Sequence, residues 1–291
     1  MEVHVNNSIE IRGLSKSFDR FSLKDVNLTL PNGSIMGFIG ENGAGKTTTI
    51  KLILNQLKKD SGTICILGLD HIKDEKSIKE DIGVVFDESY FHDNLKPKHI
   101  SKVMSNIYKN WNQEFFYDNL NKFNIPVDKM TKDFSRGMKM KLSIATALSH
   151  NPKLLILDEA TSGLDPIIRN EILDIFREFI QDENHSVLIS SHITSDLEKV
   201  ADYISFIHDG EIIFSQSKDD LLYDYGLLLC GASDFENIDI TDIIGHRKSR
   251  FGHEILVKNM SNMKIKYKGF TIDNVTIEDI MLFYIKGDQK K

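Results

Sequence analysis

The sequence of 291 residues contains little cysteine, proline or tryptophan, with two, five and one of them respectively. Cys65 and Cys230 are too few for a disulfide framework, which excludes small disulfide-stabilised secreted domains and suits a reducing compartment. No apolar run approaches the roughly 18 residues of a membrane-spanning helix. The first residues lack the basic and apolar regions of a signal peptide. The sequence therefore predicts a soluble, cytosolic protein.

Positive charge is also in deficit, because 36 Lys and Arg stand against 43 Asp and Glu, a formal net charge of −7. Nucleic-acid-binding domains usually carry an excess of basic residues, so we expect no nucleic-acid partner. Hydrophobic residues make up 41% of the chain and charged residues 27%, which supplies enough apolar material for a buried core. This composition excludes disordered and fibrous proteins.

Short apolar runs alternate with helical patterns along much of the chain. Ile9–Gly13 and Lys24–Leu30 alternate apolar and polar residues, which predicts antiparallel strands. Wholly apolar runs predict buried strands at Ile35–Ile39, Gly83–Phe86, Leu154–Leu157, Val187–Ser190 and Tyr203–Ile207. Helical periodicity lies between them, at Lys46–Leu57, Ser143–Leu148, Ile167–Ile180 and Ser195–Val200. We therefore predict an α/β fold with a mostly parallel sheet and an antiparallel β part at the N-terminal side.

Two stretches depart from this alternation. Strand patterns are absent from about residue 87 to 150, where Lys98–Lys109 and Gln113–Phe123 are helical, so we expect a helical subdomain inserted in a domain of residues 1–216. Residues 217–291 hold short strand-like pieces, among them Lys264–Tyr267, and end in a helix near Ile277–Tyr284. We predict a small α+β appendix there.

Residues 40–47, GENGAGKT, fit the phosphate-binding loop (P-loop) pattern GxxxxGK[ST] at every fixed position. A predicted buried strand precedes the loop and a predicted helix follows it. Glycines let successive backbone N–H groups point at phosphates, and the helix N-terminus adds a partial positive charge. Lys46 would reach the β- and γ-phosphates, and the Thr47 hydroxyl would bind Mg²⁺. We predict nucleotide contacts from Gly40, Glu41, Asn42, Gly43, Ala44, Gly45, Lys46, Thr47 and Thr48.

A second acidic motif follows the predicted strand Leu154–Leu157. Asp158 and Glu159 stand at the carboxyl end of that strand, where ligands bind in parallel sheets. We expect this strand to lie next to the P-loop strand. Asp158 would then hold Mg²⁺, and Glu159 would act as the general base on water. The alternative is an ordinary solvated strand end.

Further segments follow the P-loop in a set order: Phe134–Met138 (FSRGM), Asn151–Lys153, then LLILDEATSGLD at 154–165, then Ser190–His192. Together they resemble the ATP-binding cassette (ABC) ATPases over about residues 8–215. FSRGM is similar to the family signature LSGGQ. Ser162–Asp165 is similar to the family's D-loop, and His192 to its switch histidine. The resemblance implies an ATPase that uses ATP and Mg²⁺.

The resemblance also implies roles for individual residues. Phe18 would stack on adenine, the alternative being a packed core Phe. Ser135 and Gly137 would contact the γ-phosphate of ATP held by a second copy, although Ser135 is also an ordinary helix N-cap. Asp165 would meet the opposite P-loop across a dimer, and His192 would hydrogen-bond the γ-phosphate.

Two segments depart from the family pattern, at Asp87 and within the signature. Asp87, followed by Glu88, stands where the family usually has Gln, so Asp87 is a candidate Mg²⁺ ligand, with a solvated loop acid as the alternative. Arg136 and Met138 replace a glycine and a glutamine of the signature. That S-[KR]-G-M form, with the closing TIEDIMLFYIKG, resembles a branch whose cassettes and membrane subunits are separate chains. Its members export peptides, antibiotics or lipids, including antimicrobial peptides and phenol-soluble modulins.

The resemblance implies an ATPase subunit that dimerises on ATP, as a homodimer or with a second cassette. It would power export through an integral membrane subunit on a separate chain, and lie in the cytoplasm at the inner face of the cell membrane. The alternative is a soluble ABC ATPase acting on ribosomes or DNA. The single P-loop, the absence of sustained heptads between Thr47 and Ser135, and the acidic balance all disfavour that alternative.

Overall fold

The computed structural model describes residues 7–87, 91–250 and 252–287. The chain forms two compact units, Met1–Ser215 and Gln216–Lys291. The strands are β1 (Asn7–Ser17), β2 (Ser22–Pro31), β3 (Ile35–Ile39), β4 (Ser61–Ile66), β5 (Leu69–Asp70), β6 (Ile82–Val85), β7 (Leu154–Asp158), β8 (Ser186–Ser191), β9 (Tyr203–His208), β10 (Glu211–Ser217), β11 (Tyr225–Cys230), β12 (Gly245–Ser249), β13 (Gly252–Lys258) and β14 (Thr271–Asp273). The α-helices are α1 (Lys46–Ile53), α2 (Glu75–Asp81), α3 (Pro97–Met104), α4 (Gln113–Lys122), α5 (Arg136–Leu148), α6 (Pro166–Phe179), α7 (Thr194–Val200), α8 (Lys218–Asp224), α9 (Met260–Lys266) and α10 (Ile277–Lys286).

An antiparallel sheet begins the first unit, with strand order β2-β1-β4-β5. Ile9 pairs with Leu30 and Ile11 with Leu28, and all four side chains are buried. Because alternate residues of a strand point to opposite faces, this register places the apolar set on one side. The predicted alternation is therefore confirmed, while β4 and β5 carry too short a pattern to be recognised in the sequence.

The second sheet of this unit has six strands in the order β10-β9-β3-β8-β7-β6. From β9 to β6 neighbouring strands run parallel, so their carboxyl ends meet at one edge. The predicted mostly parallel α/β fold is confirmed. The expectation that the acidic strand lies next to the P-loop strand is wrong, because β8 lies between β3 and β7. Helical crossovers allow a strand late in the sequence to insert between two earlier ones.

Residues 91–149 contain helices and no strand. The Asn112 side chain accepts a hydrogen bond from Phe115 N and so caps α4, and Ser135 caps α5 in the same way. Two helices are shorter than the periodicity predicts. Helix α3 ends at Met104 rather than near Lys109, and α1 ends at Ile53 because Asn55 adopts a left-handed conformation with φ +53°.

The C-terminal unit contains a four-stranded sheet in the order β12-β13-β11-β14 with α8, α9 and α10. The strand predicted at Lys264–Tyr267 is wrong, because this segment lies largely within α9. Lys-Ile-Lys-Tyr alternates like a strand, but Tyr267 and Met263 pack on one apolar cluster with Leu228 and Ile255 of the sheet. Burial of this helical face overrides the local pattern.

Candidate functional site

The P-loop joins β3 to α1. All five residues of β3 are buried, so the loop starts from a fixed strand end, while Glu41, Asn42 and Gly43 at its crest are exposed. The Lys46 side chain is 5% exposed, and its Nζ donates to Gly40 O at 2.7 Å and to Glu41 O at 3.3 Å. The ammonium group therefore lies beneath the crest of the loop.

Close contacts require glycine at Gly40 and Gly45 of the loop. Gly45 has φ +118°, and a Cβ there would lie 2.6 Å from Leu23 Cδ2 and 3.0 Å from Phe21 Cζ. A Cβ on Gly40 would lie 2.5 Å from the backbone oxygen of Ile207. Gly45 is also the N-cap of α1, which no side chain caps. Within the described residues no side chain therefore caps the first backbone N–H groups of α1, and these groups can bind an anionic ligand.

Asp158 and Glu159 stand at the carboxyl end of β7, two strands away from β3. Asp158 is buried, and its Oδ1 accepts a hydrogen bond from Ser190 Oγ at 2.6 Å. Glu159 turns out of the strand in a left-handed conformation, with φ +54°. Its backbone N–H donates to Ser190 Oγ at 3.1 Å and to Ser190 O at 3.2 Å.

The Glu159 carboxylate joins the P-loop to the end of β8. Its Oε2 lies 2.6 Å from His192 Nδ1, and its Oε1 forms an ion pair with Lys46 Nζ at 3.2 Å. The Glu159 side chain is only 16% exposed, and Oε1 makes no hydrogen bond within the described residues. Glu159 therefore places a nearly buried carboxylate oxygen beside the P-loop lysine.

Phe18 lies beyond the end of β1 and is 43% exposed, so it is not the packed core residue of the alternative interpretation. Its ring stacks on Phe21 with 6.4 Å between centroids, and Lys16 Nζ lies 5.7 Å from its centroid. Because Phe21 also reaches Gly45, the exposed ring stands on the P-loop side of the N-terminal sheet.

Residues 23–162 match the family described as "ABC transporter". The lantibiotic transport ATP-binding protein SrtF of Streptococcus pyogenes is 37% identical over 214 residues, which cover 72% of this chain and 91% of SrtF. The chain belongs to the ABC transporter ATP-binding family.

Two further similarities are consistent with that membership. The bacitracin transport ATP-binding protein BcrA of Bacillus licheniformis is 37% identical over 194 residues, 66% of this chain and 63% of BcrA. This chain therefore spans less than two thirds of BcrA. The solved structure titled "Structure of ATP binding subunit of ABC transporter" is 25% identical, has a TM-score of 0.67, and is matched over 73% of this chain and 91% of that one. This ABC protein is accordingly the ATP-binding subunit of a transporter.

The signature segment of the ABC subunit contacts its own D-loop. Ser135 Oγ accepts from Met138 N at 3.2 Å, and a Cβ at Gly137 would lie 2.6 Å from Ile168 Cδ1 at the start of α6. The Arg136 guanidinium packs against Gly163, where a Cβ would lie 2.8 Å from Nη1. Asp165 caps α6, accepting from Ile167 N and Ile168 N at 3.1 Å each. The P-loop glycines lie against other residues, among them Leu23, Phe21 and Ile207.

The candidate metal ligands are oxygen donors, as Mg²⁺ prefers. Thr47 is exposed in the first turn of α1, and Asp158 stands at the same edge of the sheet. Asp87 is exposed two residues beyond Val85, whose partner across β6 and β7 is Leu157, so it also stands at this edge. Glu88 lies outside the described residues. Within those residues no cluster of three His, Cys, Asp or Glu could hold a metal by itself. The set therefore suits Mg²⁺, which usually binds one or two protein ligands together with phosphates.

Sequence reasoning missed one hydroxyl and one ion pair beside the candidate site of the ABC subunit. Ser190 was noted only as part of a motif, yet it contacts both acidic residues. Arg169 of α6 and Asp196 of α7 form a largely buried ion pair between the two helices that follow β7 and β8. Neither feature has a distinctive pattern in the sequence. In the part of the chain that the structure describes, no helix is long and apolar enough to cross a bilayer.

Proposed function

We propose that this ABC subunit hydrolyses ATP with Mg²⁺ and that hydrolysis powers export through a separate membrane subunit. The observation that carries the proposal is the contact of Glu159 with both His192 and Lys46, at 2.6 and 3.2 Å. A carboxylate held between a P-loop lysine and a histidine is placed to act on water at the γ-phosphate of a nucleotide in the loop.

Each residue has a distinct part in this reaction. Glu159 accepts a proton from the attacking water. Lys46 and the N–H groups at the start of α1 stabilise the charge on the phosphate oxygens. His192 uses Nδ1 to hold Glu159, so its contact with the γ-phosphate falls to Nε2. Mg²⁺, held by Thr47 and Asp158 with Asp87 as a further candidate, would neutralise charge on the β- and γ-phosphates.

Two copies of the cassette complete the site. Ser135, Gly137 and Asp165 belong to the signature and the D-loop, which contact each other and α6. The exposed Ser135 at the N-terminus of α5 suits an anion, as a helix of 13 residues provides an N-terminal dipole. We infer that ATP bound at one P-loop is covered by the signature of a second cassette, identical or different.

The cargo is inferred from relatives. SrtF and BcrA are named for lantibiotic and bacitracin transport, and we propose that this subunit serves the export of an antibiotic, a peptide or a lipid. The subunit would work from the cytoplasm at the inner face of the membrane, bound to its permease.

The Glu159→Gln variant tests the ATPase proposal. Gln keeps the shape of the side chain but cannot accept the proton, so hydrolysis should fall by about 10²- to 10⁴-fold while ATP binding is retained. Light scattering after size exclusion should show a dimer in Mg-ATP. Glu178→Gln, which alters an exposed carboxylate paired with Lys122, is the matched control and should behave as the wild type.

Hydrolysis by Glu159→Gln at the wild-type rate would refute the role of Glu159. A variant that stays monomeric in saturating Mg-ATP would refute the shared site. Purification of the same variant from detergent-solubilised membranes should recover a multi-span membrane protein. Recovery of ribosomes or DNA without a membrane protein would refute the transport proposal and leave the catalytic roles standing.

A further inference from the structure

Ser190 lies at the centre of the acidic site, and the motif that contains it gives it no role of its own. It is the penultimate residue of β8, the strand between the P-loop strand and the acidic strand, and it is fully buried. Its hydroxyl makes two contacts at once. It donates to Asp158 Oδ1 at 2.6 Å and accepts from Glu159 N at 3.1 Å. One hydroxyl therefore links two consecutive acidic residues.

The contact with Asp158 fixes the orientation of a carboxylate. A hydroxyl donor at 2.6 Å to an ionised acceptor is a short, charge-assisted hydrogen bond. It engages Oδ1, so the carboxylate presents Oδ2 as its other oxygen. Groups that hydrogen-bond to a metal ligand commonly set its orientation and affinity in this way.

The contact with Glu159 fixes a backbone conformation. A left-handed φ of +54° is unfavourable for glutamate and persists only where the surroundings hold it. The Glu159 N–H is held by both Ser190 Oγ and Ser190 O, at 3.1 and 3.2 Å. This turn directs the side chain toward His192 and Lys46. Without the hydroxyl, the Ser190 carbonyl would be the remaining acceptor for the Glu159 N–H within the described residues.

We propose that Ser190 is a positioning residue that orients Asp158 for Mg²⁺ and Glu159 for water. The inference rests on the proposed function, which gives those two acids their roles. The neighbouring Ser191 acts differently, because its Oγ accepts from Ile193 N in the following turn. The hydroxyl of Ser190 acts through the two carboxylates and does not itself touch the reacting atoms.

Three substitutions separate the hydrogen bonds from packing. Ser190→Ala removes the hydroxyl, and Ser190→Cys keeps nearly the same volume with a weak donor. Ser190→Thr keeps the hydroxyl. The matched control is Ser205→Ala on β9, because Ser205 is equally buried and its hydroxyl has no hydrogen-bond partner within the described residues.

The first measurement is a MgCl₂ titration of the binding of mant-ATP, a fluorescent ATP analogue, which requires no hydrolysis. For Ser190→Ala and Ser190→Cys we expect about ten-fold more Mg²⁺ at half-saturation, within the 10- to 100-fold range for groups behind a metal ligand. Binding in EDTA should be unchanged. The second measurement is steady-state hydrolysis, where kcat should fall about ten-fold or more with little change in the KM for ATP. Ser190→Thr and Ser205→Ala should stay close to the wild type.

The inference would be overturned if Ser190→Cys kept the wild-type Mg²⁺ dependence and kcat. It would also be overturned if Ser190→Cys and Ser190→Thr lost Mg²⁺ affinity and kcat to the same extent. The latter result would show that packing, and not the hydrogen bonds, matters at this position. If Ser190→Ala does not fold, the Cys and Thr variants decide the matter. Failure of the proposed function would look different, because the wild type and Ser205→Ala would then also fail to hydrolyse ATP.

Discussion

Arg169 and Asp196 form a buried ion pair whose loss should destabilise the ATP-binding unit. Asp196 lies in the first turn of α7 and is 1% exposed, and Arg169 Nε lies 3.6 Å from its Oδ2. Arg169 also donates from Nη2 to Leu164 O at 3.1 Å, next to Asp165. The pair therefore joins the D-loop to the segment that follows His192. The perturbation is Arg169→Met, which keeps much of the apolar stem and removes the charge.

The structure gives the size of the effect. Two unit charges 3.6 Å apart attract each other by about 5 kcal/mol at an effective dielectric constant of about 20. The Arg169 side chain is 23% exposed, and the two atoms lie beyond hydrogen-bonding distance, so solvent weakens the attraction. Removing one partner of a buried pair typically costs about 3–5 kcal/mol, because the other charge remains buried. We expect Arg169→Met to lower the free energy of unfolding by about 3 kcal/mol, at the low end of that range.

Urea unfolding of Arg169→Met, Asp196→Leu and the double variant measures the coupling. The double variant should be more stable than the two single losses predict, by about 2 kcal/mol, because no lone charge remains buried. Arg177→Met is the matched control. Arg177 pairs with the exposed Asp174 of the same helix and donates from Nη2 to Lys199 O at 3.0 Å, so its loss should cost about 1 kcal/mol. The reasoning would be refuted if Arg169→Met and Arg177→Met lowered the free energy of unfolding by the same small amount and if Arg169 and Asp196 showed no coupling.

Two further predictions concern pH and nucleotide affinity. Burial lowers the pKa of His150, whose ring stacks on Tyr108 and whose Nε2 lies 3.0 Å from Ile82 O. The unfolded chain therefore binds a proton at this residue more readily than the folded chain does. The stability that His150 contributes above about pH 6.5 should be lost as the pH falls toward the pKa of the folded state. The urea midpoint of unfolding should fall less between pH 7 and 5.5 in His150→Gln than in the wild type. The same dependence of the midpoint on pH in both proteins would contradict this prediction. Phe18→Ala should weaken mant-ATP binding by about ten-fold, in line with about 1–3 kcal/mol per stacked base. Phe18→Tyr keeps an aromatic ring and should bind mant-ATP like the wild type. Unchanged affinity in Phe18→Ala would exclude stacking of Phe18 on adenine.

The sequence was sufficient to predict the central strands and the P-loop. Continuous apolar runs predict β3, β7, β8 and β9, because strands covered on both faces of a parallel sheet contain few polar residues. The P-loop pattern is local, since the glycines and Lys46 act within one turn of chain. Short or atypical elements could not be predicted from the sequence. The pattern in β4 is brief, and the alternation within α9 imitates a strand until its apolar face packs on a sheet.

The roles of the site residues remain predictions, and their arrangement depended on the tertiary structure. The sequence by itself determined that this chain carries a P-loop, an acidic strand end and a histidine after a later strand. Only the strand order brought Lys46, Glu159 and His192 within 3.2 Å contacts, by inserting β8 between β3 and β7. The same insertion placed the Ser190 hydroxyl against two acids some thirty positions earlier in the chain. Such contacts depend on which strands become neighbours, and that choice is made by burial of the whole sheet rather than by any local pattern.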